Sequence, residues 1–198
     1  MLWRKARRRK TDPEQVSRLI RPSELLTTDL RLSPLGEEDA ASLQTLWSAP
    51  EVCRYLWDGH ALELQMTRDI LMRSRVIFEE RGQGLWGAYD GEGQLLGFCG
   101  FWHFHGESEL ELMLATRAGH WLKNIGSQMV ASMIDYGFDH LQLSHIRASV
   151  HRENRACMHL LRKFGFVEES ARIKTSAKQF LCLSQASRSV DGHSWEAA

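Results

Sequence analysis

The amino-acid sequence predicts a single α+β domain, in which helices flank a central mixed and mostly antiparallel sheet. Two patterns lead to this fold class. Residues 84–89 and 95–102 are apolar runs joined by the turn residues Asp-Gly-Glu-Gly-Gln at 90–94, which predicts an antiparallel hairpin. Residues 109–166 then alternate between strand and helix patterns. The chain of 198 residues suits one domain that buries roughly 70% of its unfolded surface.

The first half of the chain predicts one strand and two helices before the hairpin. Leu30 and Leu32 alternate with polar neighbours, as in a half-buried strand. Acidic residues at 37–39 mark the start of a helix, and Pro50 is expected to end it. Apolar residues at helical spacing predict a second helix over residues 62–80.

The second half predicts three strands and two helices. The elements are, in order, a strand over 109–114, a helix over 125–141, a strand over 145–150, a helix over 155–164 and a strand near 179–183. The domain organisation expected from these patterns is a basic arm at 1–24, a folded domain at 25–183 and a polar tail at 184–198.

Composition argues against several classes of protein. With 43% hydrophobic and 25% charged residues, the chain has the composition of a globular protein. No apolar run approaches the ~20 residues of a membrane span and no secretory signal is present, so we expect a cytoplasmic protein. The four cysteines are widely spaced, which predicts neither a zinc site nor a disulfide framework. His103 and His105 alternate along one strand without a third ligand, so no metal is expected.

The first 20 residues are strongly basic. They carry seven basic and two acidic residues, a local charge of +5 in a chain whose net charge is zero. Such a block usually stays solvated as an arm, and the alternative is contact with RNA or another acidic surface. Both interpretations stay open, and either a monomer or a homodimer is expected.

The loop at 121–127, Trp-Leu-Lys-Asn-Ile-Gly-Ser, leads from a predicted strand into a predicted helix. The first amides of a helix and its positive dipole end bind anions, so this loop is a place for a phosphorylated cofactor.

The order of these elements and several local motifs resemble the GNAT N-acetyltransferases, and more narrowly their RimJ/RimL-like branch. Residues 26–35 with 37–40, and residues 49–56, look like the opening of RimJ-like enzymes. The resemblance runs from about Leu25 to Glu168. It implies a sheet splayed around the cofactor site, acetyl-CoA as co-substrate, and acetyl transfer to a primary amine by direct attack in a ternary complex.

The acceptor that the resemblance implies is the α-amine of a protein N-terminus or a small-molecule amine. Near neutral pH, freeing the amine of a lysine costs about 4 kcal/mol, whereas an α-amine costs less than about 1 kcal/mol. Because the sequence marks no strong base, an α-amine is the easier substrate.

The cofactor loop departs from the family pattern at two places. Trp121 replaces the usual Arg or Gln, and Asn124 replaces the first glycine. Asn tolerates the left-handed conformation, so the turn is expected to survive; the alternative is that Asn124 merely caps the helix. The cofactor-binding residues that the resemblance implies are Leu112, Met113, Leu114, Trp121, Leu122, Lys123, Asn124, Gly126, Ser127 and Asn154.

Three residues are candidates for proton transfer. Glu109 and Glu111 share one face of a strand, and each is either the acceptor of the amine proton or a rim carboxylate. Cys157 stands where the resembling enzymes usually place Ser, which is implied to return a proton to the leaving thiolate. A thiol with a reference pKa near 8.5 suits that step, and packing is the alternative role.

The residues expected on the acceptor side are Tyr55, Trp57, Trp102 and His103, each equally a candidate for the core or the rim. A second class of function stays open. If the departures at Trp121 and Asn124 spoil the phosphate cradle, the domain is an acyltransferase-like, non-catalytic binding module whose basic arm engages an anionic partner.

Overall fold

A computed structural model describes residues 22–103, 110–120, 124–169 and 177–190, without the side chains of residues 58 and 188–190. The strands are β1 (Leu25–Leu26), β2 (Arg31–Pro34), β3 (Leu85–Tyr89), β4 (Leu95–His103), β5 (Leu110–Thr116), β6 (His145–His151), β7 (Val167–Glu168) and β8 (Lys178–Ser184). The helices are α1 (Ala40–Ser48), α2 (Pro50–Cys53), α3 (Leu64–Arg81), α4 (Ile125–Asp135), α5 (Arg155–Lys163) and α6 (Gln185–Val190).

The strands form one sheet with the order β1-β2-β3-β4-β5-β6-β8-β7. Every neighbouring pair is antiparallel except β5 and β6, which run parallel and are joined by the single register pair Glu111 and Arg147. The predicted α+β class, with a mixed and mostly antiparallel sheet, is confirmed. The one parallel pair is also the weakest junction of the sheet, because its ladder stops almost as soon as it begins.

Helices cover both faces of the sheet, and the strand alternation distributes side chains between two cores. On one face, Met129 and Met133 of α4 and Leu161 of α5 pack with Leu112 of β5. On the other face, α1, α2 and α3 pack against a second cluster that includes Met113. The side chain of Glu111, two positions before Met113, therefore belongs to the face that carries α2.

Three local features differ from the sequence-based expectations. Pro50 follows the end of α1 but also begins α2, because proline fits the first turn of a helix. The predicted helix over 125–141 is α-helical to Asp135 and continues as a π-helical turn over Tyr136–His140. After Ser184, where a polar tail is expected, the chain forms the short helix α6. In the part of the chain that the structure describes, no helix is both long and apolar enough to cross a membrane.

Gln128 connects the start of α4 to the hairpin formed by β1 and β2. Its side chain is 5% exposed, and its Oε1 accepts hydrogen bonds from Thr27 Oγ1 at 2.6 Å and from the Asp29 amide at 3.1 Å. Its Nε2 donates to Asp29 Oδ2 at 3.0 Å. Because these three side-chain bonds reach residues about 100 positions away, Gln128 fixes where α4 begins relative to the rest of the sheet.

Replacing Gln128 with Leu should destabilise the fold by about 1–3 kcal/mol, because partners on the hairpin lose their hydrogen bonds in a buried setting. Gln65→Leu is the matched control, since Gln65 makes only an exposed hydrogen bond to Asp69 within α3, and a change within about 0.5 kcal/mol is expected there. Urea unfolding of both variants measures the difference. Equal destabilisation by the two substitutions would contradict the role given to Gln128.

Candidate active site

A cleft of about 1080 Å³ opens between β5 and β6 where the two strands diverge. Its walls are residues 111–116 of β5, residues 148–151 of β6 and the first turn of α4. One face of α5 and residues 51–57 complete it. The volume is at the upper end of ligand-binding clefts, which suits a long ligand.

Glu111 lies at the point where the strands separate. It is 1% exposed, and its Oε2 accepts a hydrogen bond from the Ser149 amide at 3.1 Å. Ser149 lies two residues beyond Arg147, so the carboxylate takes the amide that a continued ladder would otherwise have paired. Among the described residues, Glu111 Oε1 has no hydrogen-bond partner. The side chain thus bridges the gap between the strands and keeps one buried acceptor unused.

A fixed cation lies beside Glu111 in the neighbouring strand. Arg147 Nε donates to Glu169 Oε2 at 3.1 Å and its Nη2 donates to Oε1 at 3.1 Å. The hydrogen bonds to Glu169 raise the pKa of Arg147, and the nearby Glu111 charge adds a smaller effect in the same direction. The guanidinium is therefore held in place and stays charged next to the apex of the cleft.

The first turn of α4 presents unused amides to the cleft. Asn124 has φ 60° and ψ 4°, the left-handed conformation for which Asn is suited, and its side chain makes no capping hydrogen bond. The first helical bond runs from the Gln128 amide to the Asn124 carbonyl at 3.0 Å. Among the described residues, the amides of Ile125, Gly126 and Ser127 have no hydrogen-bond acceptor, and all three residues line the cleft. This is the geometry that binds a phosphate group.

Gly126 also sets the width of the cleft. A Cβ on this residue would lie 3.0 Å from Leu160 Cδ2, closer than ordinary contact. The absence of a side chain lets the start of α4 approach α5, so that the two helices flank the same opening.

The start of α5 carries two of the predicted site residues. Asn154 Oδ1 accepts a hydrogen bond from the Cys157 amide at 3.1 Å, which makes Asn154 the N-cap of α5. Both residues line the cleft. Burial raises the pKa of the Cys157 thiol to about 12. Proton transfer from Cys157 to a thiolate of ordinary pKa is therefore uphill, and it is not near-balanced as the reference value had led us to expect.

The segment after α2 forms the wall opposite β6, and two predicted acceptor-side residues lie on it. Tyr55 lines the cleft with its ring centroid 5.6 Å from that of His151. Beside this contact, Arg54 Nη2 and Glu153 Oε2 are 2.8 Å apart. Trp57 also lines the cleft, with φ 51° and its ring packed edge-on against Trp47 at 5.0 Å.

The structure does not bring the other two predicted acceptor-side residues to the cleft. Trp102 is the ladder neighbour of Glu111, but its ring packs in the second core, with the Arg73 guanidinium 5.6 Å from its centroid. His103 Nε2 is 2.9 Å from Gln83 Oε1 and so lies near the end of α3. Four predicted residues lie outside the described residues: Glu109, Trp121, Leu122 and Lys123.

Several cleft residues were missed by the sequence patterns. Ser149 belongs to the predicted strand and His151 directly follows it, and their alternation with buried Ala148 and Val150 could have placed them on the open face of the strand. The exposed cations of α5 at positions 155, 159 and 163 share one helix face, which their spacing also indicates. Within the described ranges, no cluster of three or more His, Cys, Asp or Glu residues is arranged to hold a metal.

Comparisons with known proteins agree with this architecture. The family described as the acetyltransferase (GNAT) domain matches residues 29–167. The uncharacterized N-acetyltransferase p20 of Bacillus licheniformis is 31% identical over 147 residues, which are 73% of this chain and 83% of that protein. The chain therefore belongs to the GNAT acetyltransferase family.

Solved structures show the same fold. The acetyltransferase from Agrobacterium tumefaciens is similar with a TM-score of 0.72 at 21% identity, over 82% of this chain and 94% of that chain. RimL, a ribosomal alpha-N-protein acetyltransferase in complex with coenzyme A, has a TM-score of 0.67 at 13% identity, over 81% and 96% of the two chains. GNAT acetyltransferases take their acetyl group from acetyl-CoA, and the cleft described above has the amides and length that such a ligand needs.

Replacing Asn124 with Gly should leave acetyl-CoA affinity unchanged or raise it, because Gly adopts φ 60° without strain and the amides of α4 remain. Gln142→Gly is the control, since Gln142 has φ 54° but lies outside the cleft. Calorimetric titration of both variants with acetyl-CoA measures the effect. A several-fold loss of affinity confined to Asn124→Gly would instead assign the ligand contact to the Asn side chain.

Proposed function

We propose that this protein transfers the acetyl group of acetyl-CoA to a primary amine by direct attack in a ternary complex. The observation that carries the proposal is the buried Glu111 carboxylate at the apex of the cleft. Within the described part of the chain, one of its oxygens has no partner, and at the other end of the cleft the first amides of α4 have no acceptor. A proton acceptor and an anion cradle in one cleft are what such a transfer requires.

The backbone of β5 supports the placement of the cofactor. Leu112, Met113 and Leu114 line the cleft beyond the single register pair with β6. Since alternate residues of a strand direct their amides and carbonyls to each neighbour, part of this backbone is available to an extended ligand. An amide-containing arm can add to β5 as a strand would. The co-substrate supplies the thioester, and these residues orient it.

Glu111 is the group that we assign as proton acceptor. An α-amine needs less than about 1 kcal/mol to lose its proton near neutral pH, so a carboxylate suffices where a lysine would need a stronger base. The bond from the Ser149 amide fixes the carboxylate, leaving Oε1 for the amine. Tyr55 and Trp57 stand on the neighbouring wall, where the acceptor would enter.

The acceptor that we propose is the α-amine of a protein N-terminus or of a small molecule, as in the RimJ/RimL-like branch. The motifs at residues 26–40 and 49–56 support that branch. The second of these motifs forms α2 and the wall that carries Tyr55, which supports the proposal that the acceptor binds against this wall.

The test uses Glu111→Gln, which keeps an oxygen for the Ser149 amide but cannot take a proton. Acetyl-CoA should stabilise both the wild type and the variant in a thermal scan, by about 2.7 kcal/mol at a hundredfold excess over Kd. Release of free coenzyme A is then measured with a panel of peptides and small primary amines. We expect the variant to lose about 10²–10⁴-fold in turnover.

Two outcomes would contradict the proposal. Failure of saturating acetyl-CoA to shift the melting of the wild type would remove the acetyltransferase function. Normal turnover by Glu111→Gln would remove Glu111 as the proton acceptor while leaving that function in place.

Cys157 provides an independent test of the step at the leaving thiolate. If the protonated thiol supplies a hydrogen to that sulfur, Cys157→Ala should lower kcat by about 10²-fold with little change in cofactor Kd, and Cys157→Ser should recover most of the loss. Because only the protonated form donates and burial raises the thiol pKa to about 12, Cys157 should add no loss of rate between pH 6 and 10.

Turnover and melting temperature measured on the same three proteins distinguish this role from packing. If Cys157 serves only packing, the Ala variant should lose about 1 kcal/mol in its free energy of unfolding, while turnover per folded molecule stays normal.

A further inference from the structure

We propose that Arg155, His159 and Lys163 bind the 3′-phosphate of coenzyme A, so that the protein distinguishes coenzyme A from its 3′-dephospho form. The inference rests on the proposed function, because it assigns a further contact for the same co-substrate. The three residues are called the α5 stripe below.

The α5 stripe follows one wall of the cleft. Its members are spaced at i, i+4 and i+8, which places them on one face of the helix over about 12 Å. All three are exposed and all three line the cleft. The contact of Gly126 with Leu160, between the second and third members, brings the start of α4 against the same part of α5.

The charges of the α5 stripe are uncompensated. No described carboxylate forms an ion pair with any of its three members, whereas Arg54 and Arg147, which also lie near the cleft, are each paired with a glutamate. Helix α5 contains no acidic residue. A helix that presents an arginine, a histidine and a lysine to the cleft and contains no acidic residue favours an anionic ligand.

The chemistry of coenzyme A supplies a matching anion. Its pyrophosphate is accounted for by the free amides at the start of α4, and the remaining charged group is a phosphate monoester on the ribose of the same nucleotide. Because α4 and α5 meet at Gly126 and Leu160, a ligand seated on the α4 amides has its nucleotide next to the α5 stripe. Arg and Lys are the side chains that bind phosphate through charge-assisted hydrogen bonds.

The experiment compares calorimetric titrations of the full chain with coenzyme A and with 3′-dephospho-coenzyme A at low salt. Wild type should bind coenzyme A about ten-fold more tightly, as expected for several exposed charge contacts acting together. Lys163→Gln and Arg155→Gln should each reduce this preference by about two- to five-fold, and the double variant should nearly abolish it. The preference of the wild type should also shrink as salt is raised.

Arg162→Gln is the matched control. Arg162 lies beside Lys163 in the last turn of α5 but does not line the cleft. Its substitution removes the same charge near the same end of the helix. The control should keep the wild-type preference. If Arg162→Gln reduced the preference as much as Lys163→Gln, the effect would come from general charge, and the phosphate-binding role of the α5 stripe would be overturned.

The failure of this inference can be told from the failure of the proposed function. Equal affinity of the wild type for both ligands would overturn the phosphate-binding role of the α5 stripe and would leave the proposed cofactor site unaffected. Binding of neither ligand removes the acetyltransferase function, and the α5 stripe with it.

Discussion

The hydrogen bond from the Ser149 amide to Glu111 Oε2 is the contact on which the cleft depends. Two parallel strands normally satisfy each other's backbone groups along their whole length, but β5 and β6 share one register pair and then part. Separation leaves buried amides that need acceptors, and the glutamate supplies one from its own strand. The same side chain thus makes the opening tolerable and places a carboxylate inside it. A smaller residue at position 111 would leave the Ser149 amide without this partner.

The two ends of the cleft use different sources of polarity. At the α4 end the polar groups are backbone amides fixed by the left-handed Asn124, and their direction does not depend on side-chain rotamers. At the Glu111 end the polar group is one buried side chain beside the paired Arg147. Fixed amides suit a ligand that is always the same, whereas the wall at Tyr55 and Trp57, where we propose that the acceptor enters, is built of side chains. This division lets the acceptor side vary without disturbing the binding of the nucleotide.

Much of the fold was predictable from local pattern, because alternation and helical spacing are written in consecutive residues. The hairpin of β3 and β4, the strand predicted at 145–150 and observed as β6, and the amphipathic α5 follow from such patterns. Two features needed tertiary structure. The pairing of Glu111 with Ser149 joins residues 38 positions apart, and the raised pKa of Cys157 comes from burial, which the sequence does not report.

The site was predictable to a smaller degree. Alternation shows that Trp102 lies on one face of β4 and Phe101 on the other, but which face meets the acceptor wall depends on how α2 and α3 pack. Trp102 lies on the face that carries α2, but its ring packs against Arg73 of α3 and does not line the cleft. The prediction that the turn at Asn124 keeps the left-handed conformation is confirmed, because this conformation is set locally by the tolerance of Asn for positive φ.

Two contacts cross the mouth of the cleft and join the wall after α2 to the segment that leads into α5. Arg54 meets Glu153 and Tyr55 meets His151, and Asn154, the next residue along, caps the helix against which the nucleotide would lie. The ion pair is exposed and adds little to stability, so its effect is on position. If a bound ligand shifted α5, these contacts would carry the shift to the wall at Tyr55 and Trp57. A coupling free energy between the two sites would be reciprocal, so an acceptor that tightened the binding of coenzyme A would itself bind more tightly in its presence.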